Sequence, residues 1–156
     1  MFWGKYEDPD NANALVQGLF RYSSVVGIER LVDSTMIMPG KAEPLEDITE
    51  FSTNQGNVAF LGGRYSDASF EGVYNAINRN LQVVADSATL LPGTSGSSSL
   101  FYHPIIEGDQ IAFVAGQGIF QSKNGVLAPL VLGSELIPGR TDSFHGFGNI
   151  AFDNGV

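Results

Sequence analysis

Short runs of apolar and β-branched residues, each bounded by glycine, asparagine or proline, occupy most of the chain. Such runs are typical of buried strands, whereas a helix needs apolar positions spaced 3.6 residues apart, which almost no stretch shows. We expect a loop at Asp10–Val16, with one helical turn as the alternative. The predicted strands are Ile48–Thr53, Asn57–Gly62, Gly72–Ile77, Leu81–Ala85, Leu100–Ile106, Gln110–Ala115, Gly118–Ser122 and Leu127–Leu132. The pattern therefore predicts an all-β protein.

The same thirteen-residue pattern, an apolar run that closes on Pro-Gly, occurs at Ile28–Gly40, Leu81–Gly93 and Leu127–Gly139. Two further landmarks recur in register with it. A Gly-aliphatic-aromatic triplet begins at Gly18, Gly72 and Gly118. An Asn/Gln-aliphatic-Ala-Phe tetrad begins at Asn57, Gln110 and Asn149. Self-similarity at a period of about fifty residues is typical of repeat architectures.

Four short antiparallel strands in each unit cannot cover their own apolar faces, so the units must stack on one another. This period and strand count predict a β-propeller-like array of four-stranded antiparallel blades, with about three repeats. The approximate units are 1–47 (a partial blade), 48–99, 100–142 and 143–156 (a second partial blade). Because single-chain propellers usually need at least four blades, we favour part of a larger propeller; a homodimer that closes the ring is the alternative.

The predicted turns have specific residue chemistry. Asn124-Gly125 suits a type I′ hairpin turn, in which both central residues have positive φ. The corresponding turn in the preceding unit lies at Asn78–Asn80, and in the first unit it ends at Gly27. Each Pro-Gly pair predicts a type II turn, because proline presets the first φ and glycine supplies the positive one.

Composition removes several classes of function. The 156 residues carry a net charge of −9 with only eight Lys and Arg, which argues against nucleic acid as a partner. Cysteine is absent, so disulfides, thiolate metal sites and cysteine nucleophiles are excluded. No apolar run approaches the length of a membrane span, and no secretory signal is recognisable at the N-terminus.

The segments VVADSATLLPG, GNVAFLGG and EGVYNAINRN resemble the tandem β-propeller-like repeats of uncharacterised bacterial secreted or surface proteins, which are often cyanobacterial. The resemblance covers nearly the whole chain, and its motifs are structural. It implies a propeller fold and a location outside the cell or in the cell envelope. It implies no catalytic residue.

Asp33 and Asp86 occupy equivalent positions, each followed by serine and, shortly afterwards, by Pro-Gly. As carboxylates in rim loops they are candidate Ca²⁺ ligands. We favour an Asx-turn, in which the side chain accepts backbone N–H groups where the strand ends. The third copy has Leu132 and Gly133 there, with Glu135 nearby, so the unit tolerates loss of the carboxylate.

Other polar residues lack the pattern of a reaction centre. His103 and His145 have no ligand spacing, so we expect structural roles for both. The acidic cluster of Glu43, Glu46, Asp47 and Glu50 is expected to be a charged edge that discourages strand pairing. Since neither a phosphate loop nor a nucleophile elbow is present, we expect no enzyme activity, no catalytic residue and no cofactor other than Ca²⁺.

Aromatic residues that recur at repeat spacing are expected to form the core between units. They are Phe20, Tyr74 and Phe120 in one set, and Phe60, Phe113 and Phe152 in the other. The non-recurring rings include Tyr65 and Tyr102, and of these Trp3 is the main ligand-binding candidate.

The resulting hypothesis is a non-catalytic module that binds protein or glycan through rim loops such as Lys41–Glu50 and Thr94–Ser99. The alternatives are a propeller hydrolase or lactonase with a Ca²⁺-dependent funnel site, and a purely structural fragment of a longer surface protein.

Overall fold

The computed structural model describes residues 1–64 and 71–151, which form eleven strands in three antiparallel sheets. The strands are β1 (Phe2–Asp8), β2 (Asn11–Ser23), β3 (Gly27–Asp33), β4 (Asp47–Asn54), β5 (Asn57–Gly63), β6 (Gly72–Ile77), β7 (Asn80–Asp86), β8 (Phe101–Glu107), β9 (Gln110–Ala115), β10 (Gly118–Lys123) and β11 (Val126–Leu132). These described residues contain no helix, and accordingly none that is long and apolar enough to cross a membrane.

Within each sheet the strands lie side by side in chain order. Sheet 1 contains β1–β3, sheet 2 contains β4–β7 and sheet 3 contains β8–β11. The all-β class and the four-stranded antiparallel sheets are therefore confirmed, although sheet 1 has three strands. The eight strands predicted from the apolar runs agree with the observed ones to within one residue at either end, because glycine and asparagine mark their ends.

The prediction of a loop at Asp10–Val16 is wrong. Its residues from Asn11 onward belong to β2, which pairs with β1 across a hairpin that turns between Asp8 and Asn11. The alternation is visible where Leu15 is exposed and Val16 is buried. The start of β2 is polar, so its residue pattern did not predict a strand. The strand forms there because its backbone pairs with β1.

The third copy of the tetrad, which begins at Asn149, forms no strand within 144–151, and Phe152 lies outside the described residues. Here the tetrad pattern recurs, but in 144–151 no neighbouring strand pairs with it.

The hairpin and type II turns have the predicted backbone conformations. Asn124 and Gly125 have φ values of +52° and +76°, as a type I′ turn requires, and Asn78-Arg79 repeats this at +50° and +67°. After each sheet, the backbone N–H that follows the Pro-Gly pair donates to the carbonyl before it. The three N···O distances, for Lys41 to Met38, Thr94 to Leu91 and Arg140 to Ile137, are 3.0, 3.2 and 2.9 Å.

The three sheets share a bulge between their last two strands. The pairing register shifts after Leu19 in sheet 1, after Val73 in sheet 2 and after Ile119 in sheet 3. Each of these residues lies immediately before the aromatic member of the Gly-aliphatic-aromatic triplet. Because a bulge bends and twists its strand, the three sheets are distorted at corresponding positions.

Sheet 2 is buried on both faces. Phe60 and Tyr74 pack with residues of sheet 1 in one apolar cluster, and Val73 and Ala85 pack with residues of sheet 3 in another. Since successive side chains of a strand point to opposite faces, β5 and β6 contribute to both clusters. The sheets are therefore stacked in the order 1, 2, 3.

A stacked aromatic pair recurs in every sheet. The ring centroids of Phe2 and Phe20, Phe60 and Tyr74, and Phe113 and Phe120 are separated by 5.5, 5.7 and 6.0 Å. The pairs of sheets 2 and 3 are fully buried between sheets, whereas Phe20 is half-buried and Phe2 is 41% exposed. The predicted core role is confirmed for the pairs of sheets 2 and 3.

Candidate binding clefts at the linker end

One end of the stack carries all the connections that leave the sheets. The last strands of the sheets finish there, at Asp33, Asp86 and Leu132; β5 and β9 also end there, and β6 and β10 begin there. The two-residue hairpins around Asn78-Arg79 and Asn124-Gly125 are at the opposite end. We call the first the linker end.

The first cleft lies at the linker end between sheets 2 and 3 and has a volume of about 420 Å³. Its apolar and aromatic lining includes Leu61 and Phe101, which are buried, and Tyr102, which is 41% exposed. The polar lining residues are Asp47, Thr49, Arg64 and Glu71. An aromatic side chain beside several hydrogen-bonding groups is a common arrangement in small-ligand sites.

The second cleft, of about 400 Å³, is built by loops. Its lining comprises Leu91, Gly93–Ser98, Ala115–Gln117 and Leu132–Ser134, and none of these residues is charged. Thr94 orders its loop, because its hydroxyl lies 2.9 Å from the carbonyl oxygen of Leu91 and 2.8 Å from that of Gly96. The two clefts adjoin, since Phe101 of the first pairs with Ala115 of the second.

Asp33 is a buried carboxylate in a network of donors. Oδ1 accepts the backbone N–H of Thr35 at 3.0 Å and its hydroxyl at 2.7 Å, while Oδ2 accepts the Tyr6 hydroxyl at 2.6 Å and Arg30 Nη1 at 2.7 Å. Burial of the carboxyl opposes ionisation, but the hydrogen bonds from Thr35, Tyr6 and Arg30 outweigh it and lower the pKa of Asp33. The predicted Asx-turn is present.

Asp86 repeats this turn in sheet 2 with a different cation. Oδ1 accepts the backbone N–H of Ala88 at 3.1 Å and the Thr89 hydroxyl at 2.8 Å, and Oδ2 accepts Lys41 Nζ at 2.7 Å. Again burial opposes ionisation, and the bonds from Lys41 and Thr89 reverse the balance, so the pKa of Asp86 is lowered. In sheet 3, Glu135 caps the equivalent strand end by accepting the Leu132 N–H at 3.0 Å.

These contacts bear on the Ca²⁺ hypothesis. Both oxygens of Asp33 and of Asp86 face protein donors, including one cation each, and a metal ion would have to displace them. Residues 1–64 and 71–151 contain no group of three His, Cys, Asp or Glu side chains placed to hold a metal ion. The geometry thus gives each carboxylate a role in holding a strand end.

The acidic cluster forms specific ion pairs. Arg64 Nη2 lies 3.0 Å from Glu46, and its other terminal nitrogen pairs with Glu43. Glu50 Oε2 accepts the backbone N–H of His103 at 2.8 Å and lies 3.2 Å from His103 Nδ1. Glu43 and Glu46 therefore pair with Arg64, and Glu50 joins β4 to β8.

His103 lies within a bulge of β8 and has a φ of +53°, which is rare for a residue other than glycine. The Glu50 side chain binds the backbone of this strained position, which indicates a structural role for His103. His145 is exposed in the segment after sheet 3.

Trp3 lies on β1, where it pairs with Leu19, and is 42% exposed. Lys5 Nζ lies 5.2 Å from the Trp3 ring centroid, within the range of a cation–π contact. Trp3 is not among the residues that line either cleft. Tyr65, another of the candidate rings, lies outside the described residues.

Comparison with known proteins adds no family to this description. The chain matches no protein-family model, no curated protein and no solved structure. Any function must therefore be argued from the residues of this chain.

Several site residues could not be found by sequence reasoning. Arg30 and Lys41 complete the two aspartate networks, yet Lys41 is distant in sequence from Asp86 and nothing in its surroundings marks it. The threonines that follow Asp33 and Asp86 are a usable sign, because a hydroxyl two or three residues later can close the turn. The rim loop Thr94–Ser99 was found from its sequence, and it lines the second cleft.

Proposed function

We propose that this protein is a non-catalytic repeat module with a β-propeller-like arrangement of sheets, and that its linker-end clefts bind a neutral glycan. The observation that carries the proposal is the pair of adjoining clefts at one end of the stack, the first lined mainly by strand ends and the second by loops. By its repeat resemblance, the module would act outside the cell or in the cell envelope.

The chemistry of the clefts favours a ligand rich in hydroxyl groups. The second cleft offers serine and threonine hydroxyls, backbone groups and the Gln117 amide, which both donate and accept hydrogen bonds without charge. Tyr102 adds an aromatic face beside it, against which a sugar ring packs with little loss of side-chain freedom. The net charge of −9 disfavours an anionic ligand.

The shifted titratable groups support a role without catalysis. The described residues with shifted pKa values are Tyr6, Arg30, Asp33, Tyr74 and Asp86, and none of them lines a cleft. Catalytic groups usually have perturbed pKa values inside a cleft. Here the perturbations belong to networks that hold strand ends or to the core.

The propeller-like arrangement is supported by the repeated contact between sheets. Sheet 2 is covered on both faces, and the aromatic pairs of sheets 2 and 3 each pack toward the preceding sheet. Face-to-face packing of four-stranded antiparallel sheets is the way in which propeller blades bury their apolar surfaces.

The test is a glycan array, followed by calorimetry on the glycans that bind. Tyr102→Ala is expected to weaken binding about tenfold, the loss of one aromatic contact of about 1.4 kcal/mol. Tyr22→Ala is the matched control, because Tyr22 is 67% exposed at the opposite end of sheet 1. Equal effects of the two substitutions, or no glycan bound, would contradict the proposal. A protein captured with Tyr102-dependent affinity would instead favour protein binding.

A thermal melt with added Ca²⁺ and then with EDTA distinguishes the non-catalytic module from the alternative of a Ca²⁺-dependent hydrolase. A module without a calcium site keeps the same Tm in both conditions, whereas a calcium site raises Tm once the Ca²⁺ concentration exceeds its Kd.

A further inference from the structure

The two contacts between sheets use equivalent residues. At the first, Leu19, Val32 and Met38 pack in one cluster with Phe60 and Tyr74 of sheet 2. All five are at most 1% exposed. Three aliphatic side chains from one unit therefore cover the aromatic pair of the next.

The second contact repeats the first one unit later. Val73, Ala85 and Leu91 pack in one cluster with Phe113 and Phe120 of sheet 3. As at the first contact, the aliphatic residues come from the last two strands of their sheet and from the position before Pro-Gly. The repeat thus defines an aliphatic face and an aromatic face that fit each other.

The same two faces occur once more on the outside of the stack. The aromatic face of sheet 1 carries Phe2 and Phe20, which no described sheet covers. The aliphatic face of sheet 3 carries Ile119, Val131 and Ile137, which are half-buried where their equivalents in sheets 1 and 2 are buried. Each outer face therefore carries the same kinds of side chain as the equivalent face that is packed at an internal contact.

Charged residues follow the same periodicity. Lys41, immediately after the first Pro-Gly pair, binds Asp86 at the end of sheet 2 at 2.7 Å. Arg140 occupies the place of Lys41 after the third Pro-Gly pair, and its side chain is 63% exposed. Asp33 occupies the place of Asp86 in sheet 1. A contact between the outer faces would bring Arg140, which pairs with Asp142 at 3.0 Å within one copy, toward Asp33, which already binds Arg30.

We propose that the aliphatic face of sheet 3 docks onto the aromatic face of sheet 1 of a second copy of this chain. The contact continues the two internal ones, with Ile119, Val131 and Ile137 over Phe2 and Phe20. It is a head-to-tail contact, which closes into a ring of two copies if the rotation per sheet permits it and otherwise extends as a chain. The proposal extends the propeller-like stacking proposed above and does not depend on glycan binding.

Sedimentation velocity of the intact chain without ligand tests this docking. We expect a concentration-dependent mass of about twice the 16.7 kDa of one copy, or more. Phe2→Glu and Ile137→Glu each place a charge on one of the two faces and are expected to abolish the assembly. Val25→Glu, at a position 92% exposed in the β2–β3 turn, is the matched control and should assemble normally.

Mixing the two face variants distinguishes head-to-tail docking from other dimers. The Phe2→Glu chain keeps an intact sheet 3 face, and the Ile137→Glu chain keeps an intact sheet 1 face. Their mixture should recover a species of about twice the single-chain mass, while each variant alone stays a monomer. A like-to-like dimer would not show this recovery.

A substitution at an exposed position distinguishes loss of docking from misfolding of the variant. Arg140→Glu changes an exposed side chain, so the fold should persist, and it is expected to weaken assembly at least tenfold, by about 1.4 kcal/mol. The proposal is overturned if the unmodified chain stays a monomer at the highest concentration reached. It is also overturned if the face variants assemble like the unmodified chain, or if their mixture recovers nothing.

Discussion

Replacing Phe113 by alanine tests whether the sheets are held together by the aromatic residues between them. Phe113 is fully buried at the contact of sheets 2 and 3. Its ring centroid is 6.0 Å from that of Phe120 and 6.2 Å from that of Phe101. The substitution removes the ring from both neighbours and leaves a cavity that the two strands cannot easily close.

The expected loss in the free energy of unfolding is about 4 kcal/mol, within the usual range for truncating a buried phenylalanine to alanine. Aromatic neighbours of this geometry account for a part of that figure. A domain of this size has a total stability of about 5–15 kcal/mol, so the variant retains only part of its stability. At about 2–4 °C per kcal/mol, Tm should fall by roughly 8–16 °C.

The measurement is urea unfolding followed by far-ultraviolet circular dichroism, with a thermal melt for Tm. Leu90→Ala is the control: Leu90 is 78% exposed, and its truncation should change stability by less than about 0.5 kcal/mol. If Phe113→Ala costs less than about 1 kcal/mol, the sheets are not stabilised by this contact, and the stacking argument fails.

Two further predictions concern acid and a turn. Because the pKa values of Asp33 and Asp86 are lower in the folded chain than the ordinary 3.8, both stabilise the fold above that pH. This stability is lost as pH falls through the folded values, and urea titrations of the Asp→Asn double variant should show a weaker acid dependence. Arg79→Gly should add about 0.5–1 kcal/mol by relieving a positive φ, because its exposed ion pair with Glu29 contributes little. Gly125→Arg should lower the stability by a similar amount. Chemical denaturation that showed a loss for Arg79→Gly and a gain for Gly125→Arg would refute this reasoning.

Local chemistry made the strands and turns predictable. The Pro-Gly pairs adopt the expected turn because proline and glycine restrict φ in complementary ways, whatever surrounds them. Asn124-Gly125 likewise adopts its hairpin turn from its own backbone preferences. The Asx-turns at Asp33 and Asp86 also depend on residues only two or three positions away. Each of these features is decided within a few consecutive residues.

The candidate site was predictable only in part. The rim loop Thr94–Ser99 is visible as a glycine- and serine-rich segment, and it does line a cleft. That Tyr102 lies beside it depends on β8 pairing with β9, which places Phe101 opposite Ala115. The clefts are spaces between separate segments, and no single segment contains the information for their shape.

By itself the sequence determined the all-β class, the positions of eight strands and the recurring sequence pattern, because each follows from residue type and spacing along the chain. Only the tertiary structure decided that Asn11 begins a strand, that Lys41 neutralises Asp86 and that sheet 2 is covered on both faces. These features depend on which distant side chains meet when the sheets stack. Burial of apolar faces drives that stacking and is not directional, so periodicity alone cannot assign the partners.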